Sequence, residues 1–399
     1  MGDSKTTSLS RNNTTKVALV PQQVTRRHVR IAHVSSVHPW SDNRIHFREC
    51  QSLAQAGYEV TLVAVETDMV GIRPAVSVRA YKGRNSRLTR MVFGSWAAIG
   101  MALRSHPHIV HLHDPELSWA IPLLRIAGKH VIYDAHEDLP SQLLDKSYIN
   151  PRLRRITSYV GRLIVGLTRS ASHVITATEK IAERYPQGKV TVVHNYPPAL
   201  PRVKSVTPLV ERENRVVYLG GITEGRGFSQ MIDATKEESW PFEWKLILAG
   251  PISDQLRTRL EDTQTNPRVE YLGRLPPDDA RALLDTAKVG LCLFQDTSAH
   301  RDALPTKVFE YLEAGLPVIA SDFPLWKQLF ETCGILVDQS SPSEVARAVA
   351  AYDAHPDLLV HHSAQALAVS AESTWDSEAA KLLGVYADLT RRSTSDSSA

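Results

Sequence analysis

The sequence has few cysteines and no long apolar run, and each shortage excludes a class of protein. The three cysteines form no C-x-x-C pair, which argues against a disulfide framework or a zinc knuckle and favours a reducing, cytoplasmic setting. No stretch approaches the roughly 18 apolar residues of a membrane span, and residues 1–28 are polar, without the apolar core of a signal peptide. We therefore expect neither secretion nor a membrane span, with residues 1–28 and 393–399 as flexible polar ends.

Charged residues of the two signs are unevenly distributed. Residues 1–200 contain 26 Lys and Arg against 14 Asp and Glu, whereas residues 201–399 contain 20 against 29. A basic half fits an anionic membrane surface, an acidic acceptor or nucleic acid, since each basic side chain near anionic lipid contributes about 1 kcal/mol. A solvated surface without a partner explains the same imbalance.

What the sequence does contain is a repeated alternation of strand and helix patterns. Buried-strand patterns such as RIAHVSS (30–36), HIVHL and HVIYD alternate with helical patterns near 44–56, 88–104, 115–127 and 151–170. A second series begins at RVVYLGG and ends with a helix at 342–353. This alternation predicts an α/β protein with two Rossmann-like, doubly wound parallel sheets that face each other across a cleft.

The boundary between the two series is the segment 196–214, which has four prolines and no periodicity. We therefore predict one domain over 29–198 and a second over 199–373. In open parallel sheets, ligands bind beyond the carboxyl ends of the strands. The loops after strands are accordingly the candidate functional segments.

The segment with the most candidate residues is DALPTKVFEYLEAGLPVIASD (302–322). Pro305 begins a helix there, and backbone N–H groups around Leu304, Pro305 and Thr306 offer an anion site, to which Lys307 adds a full charge. The carboxylates of Asp302 and Glu310 are spaced to face one pocket and to accept hydrogen bonds from sugar hydroxyls. An ion pair between Lys307 and Glu310 on a solvated helix explains the spacing equally well.

This segment resembles the signature of the family 4 glycosyltransferases, which have the GT-B fold, and the resemblance extends over nearly the whole chain after residue 29. The signature is an acidic residue, seven residues, a glutamate, and then G-x-P-V-I, which corresponds here to Asp302, Glu310 and GLPVI (315–319). Aspartate replaces the usual first glutamate. The resemblance implies that Asp302 contacts donor-sugar hydroxyls and that Glu310 binds the nucleotide ribose.

A glycine-rich turn, YLGGITEGRGF (218–228), leads from a strand into a helix and directs backbone N–H groups at an anion. The family usually has an arginine and a lysine here, but this chain has Gly221 and Gly227. The resemblance therefore implies that Arg226, Lys307 and the helix dipoles neutralise the charge of the donor diphosphate. An exposed Arg226 without a ligand is the alternative. The resemblance further implies that Gly273, Arg274 and their neighbours recognise the base through backbone atoms.

The segment VIYDAHED (131–138) ends a strand of the first domain with a histidine between carboxylates. The resemblance implies that His136 contacts and aligns the donor sugar. Packing of His136 against its own acidic neighbours is the alternative.

We expect no bound metal. His111 and His113 lie on one face of a predicted strand, but two ligands without a third do not make a zinc site. Asp114, Pro115 and Glu116 are typical of a helix start. No D-x-D sequence occurs, so the Mg²⁺ or Mn²⁺ diphosphate clamp of the other major glycosyltransferase fold is absent.

Two further segments of the first domain have open interpretations. In HPWSDNR (38–44), Asp42, Asn43 and Arg44 are either ligand contacts or the start of a helix. Helix 151–170 has apolar residues at core spacing, Tyr159 and Leu163 among them, and arginines elsewhere. It either packs on the sheet or docks on an anionic leaflet together with Arg84, Arg87 and Arg90.

The sequence and the resemblance together predict a retaining glycosyltransferase that moves a hexosyl group from a UDP- or GDP-sugar to a glycan, a lipid-linked sugar or a small molecule. The first domain holds the acceptor, the second holds the donor, and helix 374–392 crosses back onto the first domain. The nucleotide sugar is a co-substrate, and we expect no resident cofactor and no nucleic-acid partner. We expect the protein in the cytoplasm, either free or peripheral at the inner face of the membrane. The alternatives are a nucleotide-sugar epimerase and a non-catalytic partner subunit, whereas a dehydrogenase is disfavoured because no G-x-G-x-x-G follows the first strand.

Overall fold

A computed structural model of the chain describes residues 29–67, 73–83, 93–135, 151–198, 207–262 and 266–396. Seven parallel strands form the first sheet, in the order β3-β2-β1-β4-β5-β6-β7. Their bounds are β1 Arg30–Pro39, β2 Glu59–Val65, β3 Ser77–Tyr81, β4 Ile109–Leu112, β5 His130–Ala135, β6 His173–Thr176 and β7 Val190–Val192. The helices in this part are α1 Gln51–Gln55, α2 Ser95–Leu103, α3 Ala120–Ile126, α4 Pro151–Thr168 and α5 Glu179–Ala182, with a π-helical turn at Ile45–Cys50 before α1.

Six parallel strands form the second sheet, in the order β10-β9-β8-β11-β12-β13. Their bounds are β8 Arg215–Leu219, β9 Lys245–Ala249, β10 Val269–Tyr271, β11 Val289–Cys292, β12 Val318–Ser321 and β13 Gly334–Val337. The helices are α6 Phe228–Ala234, α7 Asp254–Asp262, α8 Pro277–Thr286, α9 Ser298–Arg301, α10 Thr306–Glu313, α11 Pro324–Phe330, α12 Pro342–Ala354, α13 Pro356–Glu372 and α14 Trp375–Asp396.

Each sheet is covered by helices on both faces, which is why its strands are nearly continuous apolar runs. In the first sheet, α2 and α3 pack on one face and α1 packs on the other. The last helix, α14, packs on that second face through Leu382 and Tyr386, and the N–H of Trp375 donates to the carbonyl of Pro197 at 2.8 Å. The last helix is therefore part of the core of the first sheet.

The strand order fixes where each sheet can bind a ligand. The chain reverses its winding direction between β1 and β4 in the first sheet and between β8 and β11 in the second. Crevices open at such switch points, beyond the carboxyl ends of the strands. The loops after these four strands therefore contain the candidate site.

Of the helix predicted over 88–104, the structure describes residues 93–104, and α2 lies there. Two other sequence predictions for the first domain need correction. The helix predicted over 115–127 is a 3₁₀ turn at Pro115–Leu117 followed by α3. Tyr159 and Leu163, predicted to face the core, are 70% and 64% exposed. Among the described residues, no helix is both long enough and apolar enough to cross a membrane.

Candidate functional site

Three loops of the second domain meet through their backbones. They follow β8, β9 and β10 and contain Gly220, Gly250 and Gly273. The Gly250 N–H donates to the Gly273 carbonyl at 2.7 Å, and a Cβ on Gly250, at φ 148°, would lie 2.0 Å from the Gly220 oxygen. Only glycine fits there. Arg274, predicted with Gly273 to recognise the base, is exposed next to this junction.

The glycine-rich turn after β8 is shaped by two further close approaches. Gly227 has φ 77°, and a Cβ on it would lie 2.6 Å from the Leu293 carbonyl oxygen, so glycine is required before α6. Arg226 folds back and donates to the Gly221 carbonyl at 3.2 Å. A Cβ on Gly221 would come within 2.9 Å of that guanidinium. Arg226 therefore occupies the space of a side chain at position 221.

Lys307 directs its ammonium group into the same turn. Its Nζ lies 3.6 Å from the centre of the Tyr218 ring and would be 3.4 Å from a Cβ on Gly220. This nitrogen is buried and has no hydrogen-bond partner among the described residues. Burial, with a smaller contribution from the nearby charge of Arg226, lowers its pKa to about 8. Two cations thus share a small volume, a combination that an anionic ligand would stabilise.

The helix that contains Lys307 begins as the sequence predicts. Pro305 is the N-cap residue and Thr306 the first residue of α10, while Leu304 packs against the core cluster beneath it. The indole N–H of Trp326 donates to the carbonyl of Ala303 at 2.8 Å. This contact anchors the chain directly before the helix.

Glu310 lines a cavity of about 780 Å³ between the two domains. Across the cavity lie Asn43, Phe47 and Arg48 of the first domain. Burial raises the pKa of Glu310, which the positive charge of Arg48 partly offsets. Burial likewise lowers the pKa of Arg48 to about 10, and the negative charge of Glu310 partly offsets this lowering. Each charge therefore contributes to retaining the other across the cleft.

Asp302 occupies a different part of the cleft from Glu310. It ends the short helix α9 and is not among the residues that line the cavity. Asp302 contributes in a minor way to the raised pKa of Lys180 in the first domain, which a hydrogen bond to Glu183 raises most. Asp302 thus faces the first domain at α5.

The loop after β1 is held by buried polar contacts. Arg44 donates to both oxygens of Asp134 at 3.2 Å and to the carbonyl of Val193 at 2.9 Å. Asp42 accepts from the N–H groups of Arg44 and Ile45, both at 2.9 Å. Of the two interpretations for this loop, these contacts fit the helix start. His136, predicted to contact the donor sugar, lies outside the described residues, two positions after Asp134.

Asp114 does not use its side chain to cap a helix, contrary to the sequence prediction. It occupies the N-cap position without a capping hydrogen bond. Its carboxylate instead accepts from the Ser35 hydroxyl at 2.8 Å and the Ser36 N–H at 2.5 Å. The carboxylate is used to hold the end of β1, a long-range contact that local spacing does not reveal.

A cluster of buried histidines was missed by the sequence analysis. His111 and His113 stack with ring centres 4.4 Å apart, as their predicted common face implies. The centre of the His33 ring on β1 lies 4.6 Å from that of His111, and Glu49 is within 3.9 Å of all three rings. The only signal in the sequence is that predicted central strands each have an inward-facing histidine.

Comparison with known families agrees with this architecture. A model described as "Glycosyltransferase Family 4" matches residues 43–196, and one described as "Glycosyl transferases group 1" matches residues 213–352. Together they cover about three quarters of the chain. The chain belongs to the family 4 glycosyltransferases. Its two parallel sheets have the GT-B fold of that family.

Solved structures show the same fold at low sequence identity. Sucrose-phosphate synthase from Thermosynechococcus elongatus is 16% identical, with a TM-score of 0.70 over 91% of this chain and 100% of that one. HepE from Anabaena, solved in complex with UDP-glucose, is 14% identical, with a TM-score of 0.68 over 90% and 100% of the two chains. These likenesses establish the GT-B fold of this chain.

Curated relatives match a smaller part of the chain. The putative colanic acid biosynthesis glycosyltransferase WcaL of Escherichia coli is 29% identical over 34% of this chain and 35% of its own length. The amylovoran biosynthesis glycosyltransferase AmsK of Erwinia amylovora is 29% identical over 29% and 30%. The matched region spans about a third of the length of these relatives.

Proposed function

We propose that this glycosyltransferase is a retaining hexosyltransferase that takes its sugar from a nucleotide diphosphate donor bound by the second domain. The observation that carries the proposal is the buried Lys307 ammonium, which has no hydrogen-bond partner in the described part of the chain and lies beside the glycine-rich turn and Arg226. A diphosphate supplies the missing negative charge. Glu310 then binds the ribose and Asp302 the sugar hydroxyls, as the family resemblance implies.

The bond between the anomeric carbon and the diphosphate oxygen breaks while the acceptor oxygen bonds to the same carbon. The acceptor proton passes to the departing diphosphate on the same face of the sugar, so the anomeric configuration is retained. Lys307 and Arg226 stabilise the charge that develops on the leaving group, an effect typically of several kcal/mol in a preorganised site. His136 aligns the sugar. No metal ion has a step in this mechanism.

Two comparisons support the choice of donor and acceptor. HepE, of the same fold, has been solved with UDP and with UDP-glucose, which favours a UDP-sugar over a GDP-sugar. Two relatives are named for the biosynthesis of colanic acid and amylovoran, which favours polysaccharide biosynthesis and a growing glycan or lipid-linked sugar as acceptor. The acceptor then binds on the first domain, near Asn43 and Phe47 of the cavity wall.

A lipid-linked acceptor requires the enzyme to reach a membrane, and an exposed apolar face of the first domain fits this role. Ile126 on α3 is 85% exposed, and Tyr159 and Leu163 on the neighbouring α4 are 70% and 64% exposed. Arg162 lies on the same helix and is exposed. Apolar side chains bordered by basic ones are typical of docking on an anionic bilayer.

Vesicle sedimentation tests the docking. We expect the wild type to bind vesicles containing phosphatidylglycerol and to bind neutral vesicles weakly, and we expect Ile126→Asp with Leu163→Asp to abolish binding. Phe242→Asp is the matched control, because Phe242 is 80% exposed on the second domain. Equal binding by the double variant and the control would contradict the docking proposal.

Product analysis tests the reaction class. The enzyme is incubated with labelled UDP-sugars and a membrane lipid extract, and the configuration of the new bond is read from its anomeric NMR coupling. Retention supports the proposal, and inversion contradicts it. Conversion of the donor sugar without acceptor would favour an epimerase, and nucleotide binding without transfer a non-catalytic partner subunit.

A further inference from the structure

Three histidines and one glutamate form a closed, buried cluster in the first domain that the proposed reaction does not use. His33 is on β1, His111 is on β4, His113 directly follows β4, and Glu49 is in the turn before α1. Each is at most 2% exposed. One nitrogen or carboxylate oxygen from each lies within 4.8 Å of those of the others. These are the side chains that bind first-row transition metals.

The distances within the cluster fit a tetrahedral ion. Oε2 of Glu49 lies 3.9 Å from Nδ1 of His33, from Nδ1 of His111 and from Nε2 of His113. Nδ1 of His33 and Nε2 of His113 are 2.9 Å apart. Four ligands at about 2.0–2.1 Å from zinc lie about 3.4 Å from each other in a tetrahedron. That spacing falls between the observed distances, so small side-chain movements would complete the geometry.

The outer ring nitrogens of two histidines have the partners that metal ligands usually have. Nδ1 of His113 lies 3.5 Å from Oδ2 of Asp134, and Nε2 of His33 lies 3.1 Å from the Tyr386 hydroxyl. A ligating histidine almost always donates its other ring N–H to such a group. When both rings carry their protons on these outer nitrogens, Nδ1 of His33 and Nε2 of His113 turn lone pairs toward each other, and a cation between them would be stabilised; a proton on either one gives an N–H···N hydrogen bond instead. The Tyr386 hydroxyl also lies 2.8 Å from Nδ1 of His111, a contact that a bound ion would replace.

The balance of buried charges beside the cluster also favours a bound cation. Arg44 contacts both oxygens of Asp134 and lies 3.0 Å from Oε1 of Glu49. Oε2 of Glu49 has no hydrogen-bond partner among the described residues. Two buried carboxylates therefore share one guanidinium, and burying an uncompensated charge is costly.

We propose that His33, His111, His113 and Glu49 bind one divalent first-row transition-metal ion, with zinc as the ion to test. All four positions are filled by protein, so the site is structural rather than catalytic. The ion ties β1 and β4 to the turn before α1. His111 and His113 alone lack a third ligand, and the fold supplies His33 and Glu49.

Metal analysis of the full chain, produced without a histidine tag, tests the proposal. After dialysis against zinc and removal of free ion, we expect about one zinc per chain, and cobalt in its place should give the intense visible absorption of a tetrahedral site. Glu49→Gln, which keeps the size of the side chain, should lower the zinc content at least tenfold. His361→Ala, which removes an exposed histidine from α13, is the matched control and should keep the metal.

The outcomes are decisive even if Glu49→Gln does not fold, because the wild type alone gives the cobalt spectrum. Zinc retention together with a tetrahedral spectrum and a chelator-induced fall in melting temperature supports the site. A folded wild type that retains no zinc and gives only octahedral cobalt overturns it, and the cluster is then a hydrogen-bonded histidine network. A folded Glu49→Gln variant with as much zinc as the control overturns it too. Calorimetry with UDP-glucose, run separately, reports on the donor site alone.

Discussion

The charge on Lys307 should make donor binding depend on pH near the lowered pKa of this amine. Burial lowers the pKa of this amine to about 8 in the empty site, and the diphosphate binds the charged form. The charged fraction falls from about nine tenths at pH 7 to about one tenth at pH 9, so affinity should fall about tenfold, or 1.4 kcal/mol. The loss should begin as the pH rises through 8.

Calorimetric titration of UDP-glucose at several pH values measures this loss, with Lys307→Met as the reference. The variant should bind weakly, and any remaining slope would report titration of the donor itself. Because a folded pKa below the ordinary value means that the charged amine is costly in the fold, Lys307→Met should also stabilise the empty protein below pH 8, by on the order of 1–3 kcal/mol. A wild-type affinity that is flat from pH 7 to 9, or a variant that binds as tightly as the wild type, would refute the reasoning.

Three further predictions concern stability, each measured by urea unfolding or thermal melting. Gly250→Ala should lower the free energy of unfolding by about 1–3 kcal/mol or more, since its Cβ would clash with the Gly220 oxygen. Gly384→Ala, at an exposed and uncrowded position of α14, should raise it by up to about 1 kcal/mol. Similar changes in the two variants would contradict the close approach of Gly250 to Gly220. Arg44→Met should cost about 3–5 kcal/mol by leaving buried carboxylates without their cation, and a cost below about 1 kcal/mol would show that the pair is not needed. Glu378 and Glu179 raise the pKa of His194 despite its burial. The stability that this contact contributes should therefore be present below about pH 6.5 and be lost as the pH rises through the raised pKa. Glu378→Gln should remove this pH dependence of the free energy of unfolding, and a variant with the wild-type pH profile would contradict the prediction.

Strand and helix periodicity was sufficient to predict both sheets. Parallel strands covered on both faces are apolar runs, and these runs alternate with amphipathic helices over most of the chain. The helix that starts at Thr306 was also predictable, because Pro305 and Gly315 mark its ends. Local signals of this kind depend only on neighbouring residues.

The sequence predictions were wrong where residues far apart in the chain determine the contacts or the burial of a side chain. Asp114 has the spacing of a helix cap, but its carboxylate instead accepts hydrogen bonds from Ser35 and Ser36 of β1. Tyr159 has core spacing along its helix, yet its side chain is exposed.

The histidine cluster depends on the register between strands. His33 pairs with His111 across β1 and β4, and that register cannot be derived from either segment alone. The electrostatic interaction of Arg48 with Glu310 likewise depends on the relative placement of the two domains, which no local pattern determines.

The most direct test of the donor site is a calorimetric titration of wild type and Glu310→Ala with UDP-, GDP-, ADP- and dTDP-sugars. We expect one nucleotide series to bind and the variant to lose at least about tenfold in affinity, or 1.4 kcal/mol. Absence of binding by every series, or equal binding by wild type and variant, would contradict it.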